Sequence, residues 1–272
     1  MNKHLCRSNK QERKTCIFCG GFNLSKEHVW PDWARKVLTD NPSPAHHEWH
    51  NTYSDKGTVV KESGMRTRQG STFTKKVRVV CKTCNNGWMS RLENATKPIL
   101  LSLIQGEPTL LDRERQTLLA QWIALKVMIT EWNRPLEAFI PKEDRIAFMD
   151  DLTIPPYLEI WVITHDSEKW KGAFLRQTAL LAFPGPRPPG RRNSATVAIG
   201  FGRFFIFVMM TLAAGMKLSE RIGVHPIVPK LFPCAYDTLP LPFLKNLDDQ
   251  SADRMAYSFD LLIQSTNTKW FP

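Results

Sequence analysis

Two Cys-x-x-Cys pairs are the residues of this chain whose types and spacing most clearly indicate chemistry. Cys16 and Cys19 form the first pair, and Cys81 and Cys84 form the second. Four thiolates bind one zinc ion in a tetrahedral site, and the length of chain between the pairs is not restricted by that chemistry. Because four thiolates leave no coordination position open, the sequence predicts a structural zinc site.

Three polar residues lie close to these cysteines in the sequence. Glu27 and His28 follow the first pair, and Asn85 directly follows the second. A histidine suits general-base chemistry because its pKa lies near neutral pH. A lone histidine is more often structural. His28 is a candidate functional residue because of its position between the two cysteine pairs.

The order of these residues resembles that of the HNH endonucleases of the ββα-metal, treble-clef type. Their common form is Cys-x-x-Cys, then Asp-His-Ile/Val with a nearby proline, then Cys-x-x-Cys followed by His or Asn at the start of a helix. The counterparts here are Cys16-x-x-Cys19, Glu27-His28-Val29 with Pro31, and Cys81-x-x-Cys84-Asn85. The resemblance covers about residues 14–100 and implies a zinc-stapled treble-clef or ββα-metal domain.

The resemblance also implies a role for each residue. His28 matches the general base that deprotonates a water for attack on the scissile phosphate. Glu27 matches the acidic ligand of a single divalent cation, and Asn85 matches the residue that completes the protein's hold on it; Asn86 takes that role if the helix phase differs. These oxygen ligands suit Mg²⁺. The implied activity is metal-dependent hydrolysis of phosphodiester bonds in DNA, with RNA not excluded.

The chain departs from the family pattern just before Cys81. The family's middle asparagine, which helps to orient the catalytic histidine, normally lies there, whereas residues 74–78 read Thr-Lys-Lys-Val-Arg. Either the long segment 41–70 supplies this role, or a basic residue takes it, or catalysis is impaired. The alternative function is therefore a catalytically inactive, zinc-stapled protein that binds nucleic acid. A third class is a protein-interaction module.

Positive charge is concentrated in the part of the chain that carries the cysteines. Residues 1–100 hold 18 Lys and Arg against 8 Asp and Glu, which accounts for +10 of the net charge of +11 of the whole chain. Such an uneven charge indicates an anionic partner, of which nucleic acid is the usual one. Lys75, Lys76, Arg78 and Lys82 are candidates for phosphate contacts. Alternatively, they are strand-edge cations that limit aggregation.

Cysteine usage and apolar runs bear on the compartment. Cys6 and Cys234 are isolated, so the six cysteines do not resemble a disulfide framework. The first fifteen residues are polar and basic, unlike a secretory signal peptide. The longest apolar run, Phe204 to Met216, is too short to cross a bilayer. We therefore expect a soluble protein in a reducing cytoplasm.

Short elements are expected to position the candidate residues. Residues 23–29 are expected to be extended, and Pro31 suits the first turn of a helix that reaches Leu38. Residues 72–80 are predicted to form a strand that leads into Cys81, and the apolar spacing after Cys84 predicts a helix. Residues 41–70 are polar and lack periodicity, which favours a long inserted loop. Within it His47 and His50 would share one face of a helix, as a metal or phosphate contact.

Residues 106–272 are predicted to form a second, mixed α+β domain of unknown role, which would choose the target, bind a protein partner or regulate the first domain. Asp112 can cap a helix that runs to about Trp132. A shorter helix is expected after Pro141, and a last one between residues 251 and 264. Four strands are predicted at residues 157–164, 173–183, 195–201 and 204–212. The fold class expected for the whole chain is α+β.

Overall fold

The computed structural model describes residues 14–38, 45–53, 59–69, 75–181 and 192–267. Within them the chain is a mixture of helices and antiparallel sheets, which confirms the predicted α+β class. No helix in these ranges is long and apolar enough to cross a membrane.

The first part of the chain contains two pairs of strands. Its elements are β1 (Leu24–His28), α1 (Ala34–Val37), β2 (Ala45–Tyr53), β3 (Val59–Gln69), β4 (Lys76–Cys81), α2 (Lys82–Cys84) and α3 (Ser90–Gln105). The segment Asn85–Met89 joins α2 to α3 and is kinked at Gly87, whose backbone dihedral angles are not helical. Strand β1 pairs antiparallel with β4, and β2 pairs antiparallel with β3.

These elements confirm some of the sequence predictions and correct others. The extended piece before His28 and the helix after Cys84 are present. The strand leading into Cys81 begins at Lys76, and residues 70–74 lie outside the described ranges. The helix predicted from Pro31 is shorter, because Ala34 donates its backbone N–H to the Pro31 carbonyl in a preceding turn.

The prediction of a loop for residues 41–70 was wrong where the structure describes this segment. β2 and β3 form a two-stranded antiparallel ribbon, so His47 and His50 lie on a strand and not on a helix. Backbone hydrogen bonds between two strands require no apolar alternation in the sequence, and for that reason periodicity did not reveal them.

The second part of the chain is built around a five-stranded antiparallel sheet and one long helix. Its elements are β5 (Thr109–Asp112), α4 (Arg113–Thr130), α5 (Lys142–Asp151), β6 (Leu158–Thr164), β7 (Phe174–Ala179), β8 (Ser194–Phe201), β9 (Phe204–Thr211), β10 (Lys230–Phe232), β11 (Thr238–Leu241), α6 (Asp249–Ala256) and α7 (Ser258–Asn267). The sheet has the order β10-β6-β9-β8-β7, and β5 pairs with β11. The four predicted strands are β6 to β9, whereas the single helix expected at the end of the chain is divided in two at Tyr257.

Helix α4 is the central helix of the molecule. The side chain of Asp112 accepts a hydrogen bond of 2.8 Å from the backbone N–H of Arg115, which confirms the predicted N-cap. Leu119, Ile123 and Val127 are completely buried. Residues 122–130 are all buried, so the rest of the protein surrounds this half of the helix on every side.

Alternate residues of β9 pack into two different hydrophobic clusters. Phe204 and Ile206 face the cluster that contains α4, whereas Phe205 and Phe207 face a second cluster formed with α6 and α7. This alternation is the normal consequence of the two-residue repeat of a strand. The sheet is therefore covered on both faces.

The first of these clusters also contains the cysteines. Cys16, Cys81 and Cys84 belong to the same continuous core as α3, α4 and one face of the sheet. Residues on both sides of position 105 thus share one core, and the predicted domain boundary there stays a prediction. Gly106 ends α3 with a left-handed φ of 76° that favours glycine.

Candidate metal centre and nucleic-acid interface

The structure brings the four predicted cysteines together. The sulfur atoms of Cys16, Cys19, Cys81 and Cys84 all lie within 4.8 Å of one another. Tetrahedral zinc with Zn–S bonds of about 2.3 Å requires sulfurs roughly 3.8 Å apart, and the Sγ atoms of Cys19 and Cys81 are separated by 3.5 Å. The four side chains therefore fit a metal ion such as zinc, as the sequence predicted.

Tight local turns aim the sulfurs at one point. In the first pair, the backbone N–H of Cys16 donates to the Gly21 carbonyl at 2.8 Å, and Gly20 turns the chain with a φ of 70°. Gly21 donates its N–H to Cys19 Sγ. In the second pair, Cys84 donates its N–H to Cys81 Sγ at 3.4 Å. The N–H groups of Gly21 and Cys84 stabilise the thiolate form of the sulfur atoms to which they donate.

Backbone contacts attach the first cysteine loop to its neighbours. Ile17, which lies between Cys16 and Cys19, donates its N–H to the Val79 carbonyl on β4 at 2.9 Å. The Ile17 carbonyl in turn accepts a hydrogen bond of 2.8 Å from Nε of Arg145 on α5. Arg145 was not identified from the sequence, since it lies 128 positions after Ile17 and only folding brings the two residues into contact.

The thiols do not ionise equally in the absence of a cation. Burial raises the pKa of Cys84 and of Cys19 above the ordinary value for a thiol. Burial also opposes ionisation of Cys81, but the Cys84 N–H and the neighbouring thiols lower the pKa of Cys81 to about 7. A bound cation supplies the positive charge that four clustered thiolates need.

The β1–β4 pair presents one exposed face that is basic. His28 lies opposite Lys76 in the register, and opposite residues of an antiparallel pair share a face. Lys26, two residues before His28, is exposed, as are Lys76 and Arg78, while His28 is half-buried. We call Lys26, His28, Lys76 and Arg78 the basic face. Glu27 and its partner Val77 are buried.

The other two predicted phosphate contacts lie at the ends of β4. Lys82 is exposed at the start of α2. Lys75 is half-buried, and its carbonyl accepts a hydrogen bond from the Val29 N–H. The four predicted cations therefore follow β4 from one end to the other.

A carboxylate that the sequence did not single out lies beside His28. Oδ1 of Asp32 is 3.9 Å from Nε2 of His28, whereas Nδ1 of His28 is enclosed by protein atoms. Asp32 is about half exposed, with 57% of its side chain accessible. A carboxylate at this distance stabilises a protonated imidazole. The turn between Pro31 and α1 brings Asp32 back towards His28, and the sequence alone does not define that turn.

Glu27 is held by a lysine from the other half of the chain. Its Oε1 lies 2.9 Å from Nζ of Lys126 on α4, and both side chains are at most one-tenth exposed. Nζ also donates to the His28 carbonyl at 3.2 Å and to Oε2 of Glu93 at 3.3 Å. Burial opposes the charge on Lys126, but the two carboxylates outweigh it and raise the pKa of Lys126 above its ordinary value.

Asn85 is engaged at the other end of β1. Its Nδ2 donates to Oγ of Ser25 at 3.0 Å. His28 lies three positions after Ser25 along the strand, a span of roughly 10 Å. Glu27 and Asn85 are each engaged with another partner, so the structure gives no support to a divalent ion held between them. Asn86, the alternative ligand, is exposed.

No family model, no curated protein and no solved structure matches this chain. The resemblance to HNH endonucleases therefore depends on the short motifs of the sequence alone.

Proposed function

We propose that this protein is a nucleic-acid hydrolase of HNH type that binds the phosphate backbone of DNA along its basic face. The observation that carries the proposal is the position of His28, which lies directly opposite Lys76 on an exposed, cationic strand pair. An imidazole beside phosphate-binding cations is suited to activating a water next to a phosphodiester.

The order of elements around the cysteines supports a treble-clef or ββα-metal arrangement. An antiparallel pair of strands, β1 and β4, is followed directly by the helix that contains the second cysteine pair. The first cysteine pair lies in the loop before β1. In this arrangement zinc joins the loop to the helix and so holds β1, and with it His28, in place.

The chemistry assigned to the basic face uses this chain's own residues. Nε2 of His28 accepts a proton from a water whose oxygen attacks the phosphorus, and the bond from phosphorus to the departing sugar oxygen breaks. Asp32 stabilises the imidazolium that forms. The departing sugar oxygen then takes a proton from solvent. Lys76 and Arg78 offset charge on the phosphate oxygens. Asp32 also provides a polar contact to His28 in a chain that lacks the family's middle asparagine.

A cleavage assay on purified, zinc-loaded protein tests the proposal. Supercoiled plasmid, single-stranded DNA and RNA are each incubated with Mg²⁺, with Mn²⁺ and without an added divalent ion. We expect DNA to be cut, and we expect His28→Ala to abolish cutting while zinc content remains unchanged. His225→Ala is the matched control, because His225 is also half-buried and lies outside the basic face. Equal cutting by His28→Ala would contradict the role assigned to His28.

A second candidate function is favoured by the Lys126–Glu27 contact. This contact engages Glu27, the predicted acidic metal ligand. It therefore favours a protein that uses the same basic face to bind nucleic acid without cutting it. Binding that weakens steeply as salt rises, with no cleavage of DNA or RNA under any of these conditions, would favour this function.

A further inference from the structure

Nζ of Lys126 is surrounded by three oxygen atoms, two from β1 and one from α3. Glu27 Oε1 on β1, the His28 carbonyl and Glu93 Oε2 on α3 lie at 2.9, 3.2 and 3.3 Å. An ammonium has three N–H donors, so these three acceptors use its hydrogen-bonding capacity completely. The lysine side chain is only 4% exposed.

The same oxygen atoms are the type of ligand that a hard divalent cation takes. Mg²⁺ and Mn²⁺ bind carboxylate and carbonyl oxygens, and this cluster offers two carboxylates and one carbonyl. Here the positive charge comes from the side chain of Lys126, a residue of α4, and not from a bound ion. Of the two acids, Glu93 is the one with access to solvent, since 26% of its side chain is exposed.

Removing this ammonium would leave a buried negative charge without a partner. Glu27 is 7% exposed, and Lys126 is the cation bonded to its carboxylate. An uncompensated buried carboxylate is unfavourable, and it becomes neutral or recruits another cation.

We propose that Lys126 is the resident cation of this cluster, holding Glu27 and the backbone of His28 without a divalent ion. Lys126 is thus a positioning residue for β1, and Glu27 belongs to an internal ion network instead of a metal site. Cation binding at this cluster is measured separately from cleavage, so its result does not depend on whether His28 cleaves nucleic acid.

Titration with Mn²⁺, followed by its electron paramagnetic resonance signal, tests the inference on full-length, zinc-loaded protein. The wild type is expected to show no saturable Mn²⁺ site up to about 1 mM, the weak end of biological affinities for divalent ions. One saturable site in the wild type that disappears in Glu27→Gln would overturn the proposal. This comparison requires no change at Lys126.

Lys126→Met provides the second arm, because methionine retains length and removes the charge. We expect this variant to gain one Mn²⁺ site, and we expect the double variant Glu27→Gln/Lys126→Met to lose it. Lys230→Met is the matched control, since Lys230 is paired with the single carboxylate of Glu159. A Lys126→Met protein that retains zinc and its fold yet binds no Mn²⁺ would overturn the assignment of this cluster as a cation position. If Lys126→Met does not fold, the comparison of the wild type with Glu27→Gln decides the question.

Discussion

The carboxylate of Glu27 and the ammonium of Lys126 form a buried ion pair of 2.9 Å between residues 99 positions apart in the chain. This contact joins β1, which carries His28, to the central helix of the second half of the chain. The conformation around His28 therefore depends on α4 as well as on the four-cysteine cluster.

Breaking this pair is expected to destabilise the protein strongly. Lys126→Met should lower the free energy of unfolding by about 3 to 5 kcal/mol, because it leaves Glu27 buried and unpaired. The double variant Glu27→Gln/Lys126→Met should recover part of the loss. Urea unfolding followed by circular dichroism measures both values.

Lys169→Met is the control for this measurement. Lys169 forms an ion pair with Asp253, but its side chain is 55% exposed, so its loss should cost at most about 1 kcal/mol. A Lys126→Met variant as stable as Lys169→Met would contradict the importance of the buried pair.

Loss of one predicted zinc ligand should unfold the region around β1 and β4. Cys81→Ser removes a ligand shared with the cap of α2, and zinc binding contributes folding free energy directly. We expect zinc content to fall and limited proteolysis to cut between residues 14 and 105. Cys234→Ser, at an exposed cysteine away from the cluster, should behave as the wild type. One full equivalent of zinc retained by Cys81→Ser would count against a four-cysteine site.

Nucleic-acid binding should depend on the basic face through charge. Lys76→Ala and Arg78→Ala should each weaken DNA binding to a similar extent for unrelated sequences. Each should also reduce the slope of log affinity against log salt by about 0.9, the value for one phosphate contact. Fluorescence anisotropy at several salt concentrations measures both effects. Lys217→Ala, at an exposed lysine outside the basic face, is the control; an equal effect there would indicate non-specific attraction.

Acid should destabilise the fold in part through His165. Burial lowers the pKa of His165 to about 4, so the folded state favours the neutral imidazole while the unfolded chain takes up a proton below about 6.5. This contribution is fully present above pH 6.5 and is lost progressively towards pH 4, amounting to about 3 kcal/mol. Unfolding free energies between pH 7 and pH 5 should fall less for His165→Gln than for the wild type. An identical fall in both proteins would show that His165 does not titrate in this way.

Features that depend on short-range patterns were predictable from the sequence. The four-cysteine cluster, the N-cap at Asp112 and the strands β6 to β9 each have a local signature in spacing, side-chain type or apolar content. The ribbon of β2 and β3 has none, because its stabilising hydrogen bonds join backbone atoms of a polar segment.

Contacts between distant residues were beyond sequence reasoning. Arg145 on the Ile17 carbonyl and Lys126 on Glu27 arise from packing of the second half of the chain against the first. Lys126 alone gave a signal, as a single lysine within the apolar run of α4, but that signal does not identify its partner. The same limit applies to Asp32, whose approach to His28 requires the turn before α1.

The single-turnover rate of DNA cleavage by His28→Ala, measured with enzyme in excess over a labelled duplex, tests the central claim most directly. Loss of a general base should lower this rate by about 100-fold or more, while zinc content and DNA affinity remain those of the wild type. A His28→Ala rate equal to that of the wild type and of His225→Ala would contradict the account.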